Sequence, residues 1–382
     1  MTSPELLLSA VVSLADDPNS FELIGNDTVL QLSRQSGSQG FSDSASLLRL
    51  TGTAVRRLLA VGVTPLDLCH NLAQRLPQLA GVSLHDCDAV LLCHSHTNTA
   101  TAECLAGEIA GLLHLRPDRV RGWNFGCSGF IQLLCEAADL FAQQPQFNRL
   151  ALFNVETPET WHCSADRMFC GIVGAGATAV IVERANSRVP ASSAASPRNP
   201  ANSTGTGIIA IHRDVLPITR LPGSPPLFHI EDCDGWTFRG QPCHRTVMRM
   251  NPEQVFVNAI DMMLATLRKA LKHQPPQPGQ QIVVLPHQPS GKLLRALAAA
   301  VKLEFPDCIL LENLELQGNT ISCTIPQLLA DLPKVLLRNN IIPRPNTLFV
   351  AIGAGICMQR MHDQMSAGYA VFEANPQQIL RG

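Results

Sequence analysis

The sequence predicts an α/β layered protein, and two observations carry that prediction. Five short apolar runs have the make-up of strands buried on both faces, and helical patterns lie between them. At 382 residues, 46% hydrophobic and 16% charged, the chain is long and apolar enough to bury a large core and to divide into two halves.

Taken in order, a helix-length apolar stretch opens the chain at Leu6 to Ala15. It follows Glu5 and has neither a basic leading region nor a small-residue cleavage pattern, so it does not read as a signal peptide. Helical periodicity covers Ser44 to Val61, and the first buried strand is Ala89 to Cys93. Helix Thr101 to Leu113 comes next, then helix Ser128 to Gln143, then strands Leu150 to Val155 and Ala177 to Val182. Asn186 to Gly207, dense in Ser, Pro, Asn, Gly and Ala, reads as an exposed loop between an N-terminal half, residues 1–185, and a C-terminal half, residues 208–382. In the second half the order is helix Pro252 to Lys272, strand Gln281 to Pro286, helix Gly291 to Val301, helix Ile325 to Asn339 and strand Thr347 to Ile352.

Composition excludes several classes. A formal charge of −2 gives no basic field for nucleic acid. No window approaches the ~18 uncharged apolar residues of a membrane span. The 13 cysteines lie in apolar segments with no C-x-x-C pair, which fits a reducing cytoplasm. The histidines show no metal-ligand spacing; His94 and His96 alternate on a strand, while His85, His114, His162 and His229 stand alone.

One cysteine is placed differently from the rest. Cys127 lies in Gly126-Cys-Ser-Gly-Phe, where an extended segment gives way to two glycines and then to a helix. A helix start offers unpaired N–H groups and partial positive charge, so the position is expected to favour thiolate and suits a nucleophile. Three further motifs put polar or backbone groups at strand ends or in loops: Leu285-Pro-His-Gln-Pro-Ser-Gly-Lys, Leu316-Gln-Gly-Asn-Thr-Ile-Ser and Ala351-Ile-Gly-Ala-Gly-Ile.

These four segments, in this order, resemble the condensing enzymes of the thiolase superfamily, and most closely the beta-ketoacyl-ACP synthase III group. Asp166-Arg167, Gly174-Ala-Gly-Ala and the stretch from Met250 to Phe256 add to the likeness, which covers roughly residues 85–360. The resemblance implies a duplicated α-β-α-β-α five-layer fold and a cytoplasmic homodimer. It implies catalytic residues Cys127, His287 and Asn319, with an oxyanion hole from the N–H of Cys127 and the Gly353–Gly355 loop, Gly355 in particular. Arg167, Lys292 and Ser290 match positions at the phosphates and arm of the thioester carrier. No cofactor is tightly bound on this reading; acyl-CoA or an acyl-phosphopantetheine on acyl carrier protein is substrate, and nucleic acid and membrane are not partners.

The chemistry expected of these residue types is acyl transfer to Cys127, then decarboxylative condensation with a malonyl-type thioester at His287 and Asn319. Two alternatives keep part of it: transfer of the Cys-bound acyl group to an oxygen, nitrogen or other non-malonyl acceptor, or service as the partner subunit of a heterodimeric synthase. The chain departs from the family in three places. Residues 1–60 lack the tryptophan and Gly-Ile-Arg segment that grips the adenine nucleotide. Ser290 stands where the family has asparagine, and Pro252-Glu253 where it has glycine and asparagine. Small and polar residues from His94 to Cys104 open the acyl pocket, and the expectation is a specialised biosynthetic pathway with an acyl group longer or more functionalised than acetyl.

Overall fold

The structure, a computed structural model, describes residues 6–35, 41–163, 166, 171–185, 206–220, 222–238, 241–344, 346–357, 359 and 363–373. Its strands alternate inward and outward with period two, and that alternation builds the layers. On β4 (Ala89–Cys93), Ala89, Leu91 and Cys93 face one core while Val90 and Leu92 face another. On β13 (Leu348–Ile356), Phe349 and Ala351 join the first core, and Leu348, Val350 and Ile352 join a third.

The shared central core is filled by α5 (Gly129–Gln143) and by α9 (Thr324–Ala330) with α10 (Leu332–Arg338). Helix α5 is buried on almost every side, from Phe130 to Phe141, as a helix enclosed between two sheets must be. One outer layer holds α3 (Pro65–Ala80) and α4 (Thr101–Leu112), packed through Leu68, Leu72, Leu105 and Ile109. The opposite layer holds α6 (Pro252–His273) and α7 (Gly291–Glu304), packed through Met263, Leu267, Leu293 and Leu297. The result is helices, strands, helices, strands, helices in five layers.

The strand order repeats. In the first half it is β1 (Leu6–Ser13), β7 (Gly176–Arg184), β6 (Arg149–Glu156), β4, β5 (Val120–Trp123). In the second it is β8 (Thr206–Pro217), β14 (Gln364–Glu373), β13, β11 (Ile282–Pro286), β12 (Cys308–Leu310). Both run antiparallel, antiparallel, parallel, parallel. The first strands of the halves pair, Leu6 with Ile208 and Leu8 with Thr206, so one sheet of ten strands is continuous through the molecule. A hairpin of β9 (Phe228–Phe238) and β10 (Gln241–Met250) and a small unit of β2 (Phe21–Gly25), α1 (Asn26–Gln35), α2 (Ser44–Thr51) and β3 (Val55–Leu59) flank it. No helix among the described residues is long and apolar enough to cross a membrane.

Three expectations are corrected, and the opening apolar stretch, which carried none, finds its form. Leu6 to Ala15 is helix-length but forms β1, because its alternation fits between β7 and β8. The helix expected over Ser44 to Val61 stops at Thr51, where Gly52 takes φ +74° and returns its N–H to Leu48, and Val55–Leu59 becomes β3. The helix expected over Ile325 to Asn339 breaks between Ala330 and Leu332, where Pro333 starts a new helix and has no N–H to continue the old one. The Gly353–Gly355 segment is not a loop but lies within β13, paired with β14 through Gly353 and Gly368, and Gly355 and Ser366. Most of the Asn186–Gly207 loop, residues 186–205, lies outside the described residues, and Thr206 and Gly207 already belong to β8.

Candidate active site

Cys127 sits in a single 3-10 turn, Gly126–Ser128, between β5 and α5. The turn demands glycine. Gly126 has φ +68°, and a Cβ there would lie 2.0 Å from the carbonyl oxygen of Ile356. Across from the turn, β13 approaches so closely that a Cβ on Gly355 would lie 2.4 Å from Cys127 Cβ and 2.8 Å from its Sγ. The backbone N–H groups of Ile356 and of Cys127 itself point at the sulfur. Gly355 therefore supplies the space, and the facing amide is that of Ile356, one residue on.

The thiol is not the activated thiolate expected from a helix start. Cys127 is half-buried at the cavity wall, and desolvation there, with the carboxylate of Glu156 adding to it, pushes the thiol up to about 12. The two backbone N–H groups pull the other way without overcoming it. At neutral pH the resting group is the thiol.

His287 follows β11, anchored by its N–H to the carbonyl of Ile352 at 2.8 Å. Its Nδ1 lies 2.8 Å from Thr324 Oγ1, and its Nε2 is buried and meets no hydrogen-bond partner among the described residues. Burial holds the imidazole down at about 3, with the carbonyl of Ile321 opposing, so the ring is neutral throughout the physiological range. Asn319 follows α8 (Leu314–Gln317) and Gly318, which turns the chain at φ +70°. Its backbone is held on both sides by the segment after Gly171: Asn319 N–H donates to Ile172 at 2.9 Å, and Gly174 N–H donates to Asn319 at 2.9 Å. Ile321 N–H donates to Asn319 Oδ1 at 2.9 Å, and Asn319 Nδ2 donates to Pro289 O at 3.2 Å. That fixes which end of the amide is donor and leaves the second Nδ2 proton for another acceptor.

Cys127, His287, Asn319 and Gly355 all line one cavity of about 700 Å³. Its wall is mostly apolar, with Trp161, Ile172, Met248, Phe256 and Ile321, and Phe41, Leu50 and Glu253 lie among its more exposed residues. Ser290 and Lys292 line it too. Ser290 Oγ caps α7, accepting from Leu293 N–H at 3.4 Å, and Lys292 Nζ lies 4.6 Å from the Phe256 ring centroid. Arg167 lies outside the described residues.

Sequence reasoning passed over Glu156. At the end of β6 and fully buried, it accepts from Ser95 N–H at 3.1 Å, from Ser95 Oγ at 3.0 Å and from Ser322 Oγ. Burial raises its carboxyl to about 8, against those hydrogen bonds. Ser95 lines the cavity, so Glu156 stands one hydroxyl behind its wall. The only sequence signal was an acid closing a largely apolar strand.

The chain shares its overall architecture with solved condensing enzymes. It superposes on 3-oxoacyl-(acyl carrier protein) synthase III from Pseudomonas aeruginosa with a TM-score of 0.66 at 20% identity, covering 97% of this chain and 98% of that one. The fold is the thiolase fold of the synthase III enzymes. A tetronic acid condensing enzyme shares it at TM-score 0.65 and 16% identity, over 96% of this chain and 99% of the other. In sequence, the chain is similar to beta-ketoacyl-ACP synthase III of Cereibacter sphaeroides, 25% identical over 280 residues, or 72% of this chain and 77% of that enzyme. It is likewise 25% identical to the synthase III of Paramagnetospirillum magneticum over 315 residues, 81% of this chain and 86% of the relative. No protein-family model matches the chain. Against the synthase III relatives, the likeness covers both halves of the fold.

Proposed function

We propose that this protein is an acyl-thioester condensing enzyme in which Cys127 carries the acyl group and His287 with Asn319 serves the second substrate. One observation carries the reading: a cysteine, a neutral histidine with an unpartnered buried Nε2, and an oriented amide all open onto one largely apolar cavity. The similarity to synthase III enzymes supports it.

In the first half-reaction Cys127 Sγ attacks the donor thioester carbonyl, and its proton leaves with the donor thiol. The oxyanion formed on the way accepts from the N–H groups of Cys127 and of the Gly355–Ile356 end of β13. In the second, a malonyl-type thioester binds with its thioester oxygen towards His287 Nε2 and Asn319 Nδ2. Loss of carbon dioxide leaves an enolate whose oxygen those two donors stabilise. Its carbon attacks the acyl-Cys127 carbonyl, the C–S bond breaks, and the thiolate takes a proton from solvent. The products are a beta-keto thioester, carbon dioxide and the donor thiol.

The substrates on this reading are thioesters of acyl carrier protein or coenzyme A, met at the cavity mouth by Lys292 and Ser290, with no resident cofactor. Cavity size and apolar lining favour an acyl group longer than acetyl. The reading extends to a homodimer in the cytoplasm, with β5 at the end of the ten-stranded sheet as the pairing edge, and to halves that divide between residue 185 and residue 208. The test of the nucleophile is intact-protein mass spectrometry after exposure to acyl thioesters: the wild type gains one acyl mass and Cys127→Ala gains none. Equal loading of the variant overturns the assignment.

A further inference from the structure

The decarboxylation step asks a specific thing of His287: a proton on Nε2. A neutral imidazole carries only one, on Nδ1 or on Nε2, and the partner of the other nitrogen decides which. Burial keeps the ring neutral, so it cannot carry both.

The partner of Nδ1 is the hydroxyl of Thr324, the first residue of α9, 2% exposed. That hydroxyl has one proton and two acceptors within reach: Nδ1 of His287 at 2.8 Å and the carbonyl of Ile321 at 3.0 Å. Ile321 is itself unusual. It is a β-branched residue at φ +53°, a conformation that costs energy and persists only where the surroundings over-determine it. Its N–H is spent on Asn319 Oδ1. The same strained residue thus orients the Asn319 amide with its N–H and presents its carbonyl to Thr324 and the His287 ring.

We propose that Thr324 is a positioning residue that sets the tautomer of His287, its hydroxyl donating to Nδ1 so that Nε2 holds the proton and faces the cavity as a donor. Without that hydroxyl the Ile321 carbonyl is the remaining acceptor beside Nδ1. It draws the ring proton to Nδ1 and leaves Nε2 a lone pair, which repels an enolate oxygen instead of stabilising it. Threonine differs from valine by this one function, so the role is carried by a single hydrogen atom. The inference rests on the condensing reading, which asks for a proton on Nε2; the geometry supplies a buried hydroxyl within reach of both Nδ1 and the Ile321 carbonyl.

Two measurements test it. In the wild-type protein with 15N-labelled histidine, Nε2 of His287 is expected to show the nitrogen shift of a protonated, pyrrole-type nitrogen; a pyridine-type Nε2 overturns the proposal whatever the protein catalyses. In the second, acyl-loaded wild type, Thr324→Val and Thr324→Ser are given malonyl-coenzyme A. Thr324→Val is expected to load its acyl group at the wild-type rate yet release carbon dioxide about a hundredfold more slowly, the scale of one lost donor at a developing oxyanion, and Thr324→Ser to recover most of the loss. Decarboxylation by Thr324→Val within about threefold of wild type, or equal loss of loading and decarboxylation, contradicts it. If the wild type itself releases no carbon dioxide, the condensing reading fails while the nitrogen shift still decides the tautomer.

Discussion

At the scale of single residues, the site is tuned by burial more than by charge. His287 and Glu156 are both held neutral by it, with opposite consequences for stability. The His287 ring falls from 6.5 to about 3 on folding, and that of buried His94 to about 4. The unfolded chain therefore binds protons first, and stability drops as pH falls from about 6.5 towards 4. Glu156 rises from 4.5 to about 8, so here the folded state binds the proton more tightly. Its contribution is complete below about 4.5 and is lost as pH rises to 8. Glu156→Gln keeps the neutral shape and removes the ionisation. Measured by urea midpoints, this variant should gain on the wild type between pH 5 and pH 8; a difference that is the same at both values contradicts the assignment. Gly355 gives the steric counterpart. Gly355→Ala places a Cβ where Cys127 stands, so acyl loading should fall about a hundredfold or more, on the order of a lost oxyanion donor. Unchanged loading in a folded variant would show that β13 can retreat.

At the scale of elements, Asn319, to which the proposed reading gives a catalytic role, depends on a strand that carries none of the proposed site residues. Strand β3 carries two consecutive arginines that point to opposite faces, both nearly inaccessible. Arg56 donates to Gly171 O at 2.6 Å, and Arg57 O accepts from Ala175 N–H at 2.8 Å, so the strand holds the segment that pairs with the Asn319 backbone. Arg57 Nη1 also donates to Gln317 Oε1 at 2.5 Å, two residues before Asn319. Gln317→Met keeps the volume and removes the acceptor. Decarboxylation should fall on the order of tenfold, the scale of a hydrogen bond to a charged group, with loading of Cys127 unaffected; parallel loss of both would mean general destabilisation. This brace also marks the limit of what the sequence discloses. The Cys127 elbow was legible because glycines flank it, and the strands β4, β6, β7, β11 and β13 because nothing but buried sheet explains their composition. Strand β3 was hidden inside a helical pattern, since Val-Arg-Arg-Leu-Leu has no local preference strong enough to outvote it. Only pairing with β2 and the tertiary partners of the two arginines decide its form. Glu156 and Thr324 were missed for the same reason: their roles are defined by neighbours 61 and 37 residues away in sequence, Ser95 and His287.

At the scale of the whole molecule, duplication explains why the site is where it is. Each half ends its parallel strands on the same side, so the turn after β5 in one half meets the turn after β11 and the end of β13 from the other around the paired central helices. On the proposed reading the nucleophile comes from the first half and the acceptor groups from the second. Sequence could supply the two sets of residues in order, but their meeting is a property of the fold. The cavity between them sets the expected donor: among straight-chain acyl thioesters, loading should favour medium or longer chains over acetyl, and a strict preference for acetyl would mean that the apolar wall closes on the pantetheine arm instead. Division of labour between the halves is the central claim, and a chase experiment tests it most directly. Protein loaded with an acyl group is mixed with malonyl-coenzyme A and followed by intact mass together with carbon dioxide release. The account predicts that the Cys127 adduct disappears as carbon dioxide and a beta-keto thioester form in equal amounts, and that His287→Ala and Asn319→Ala keep the adduct. An adduct that persists in the wild type, or leaves without carbon dioxide, would contradict it.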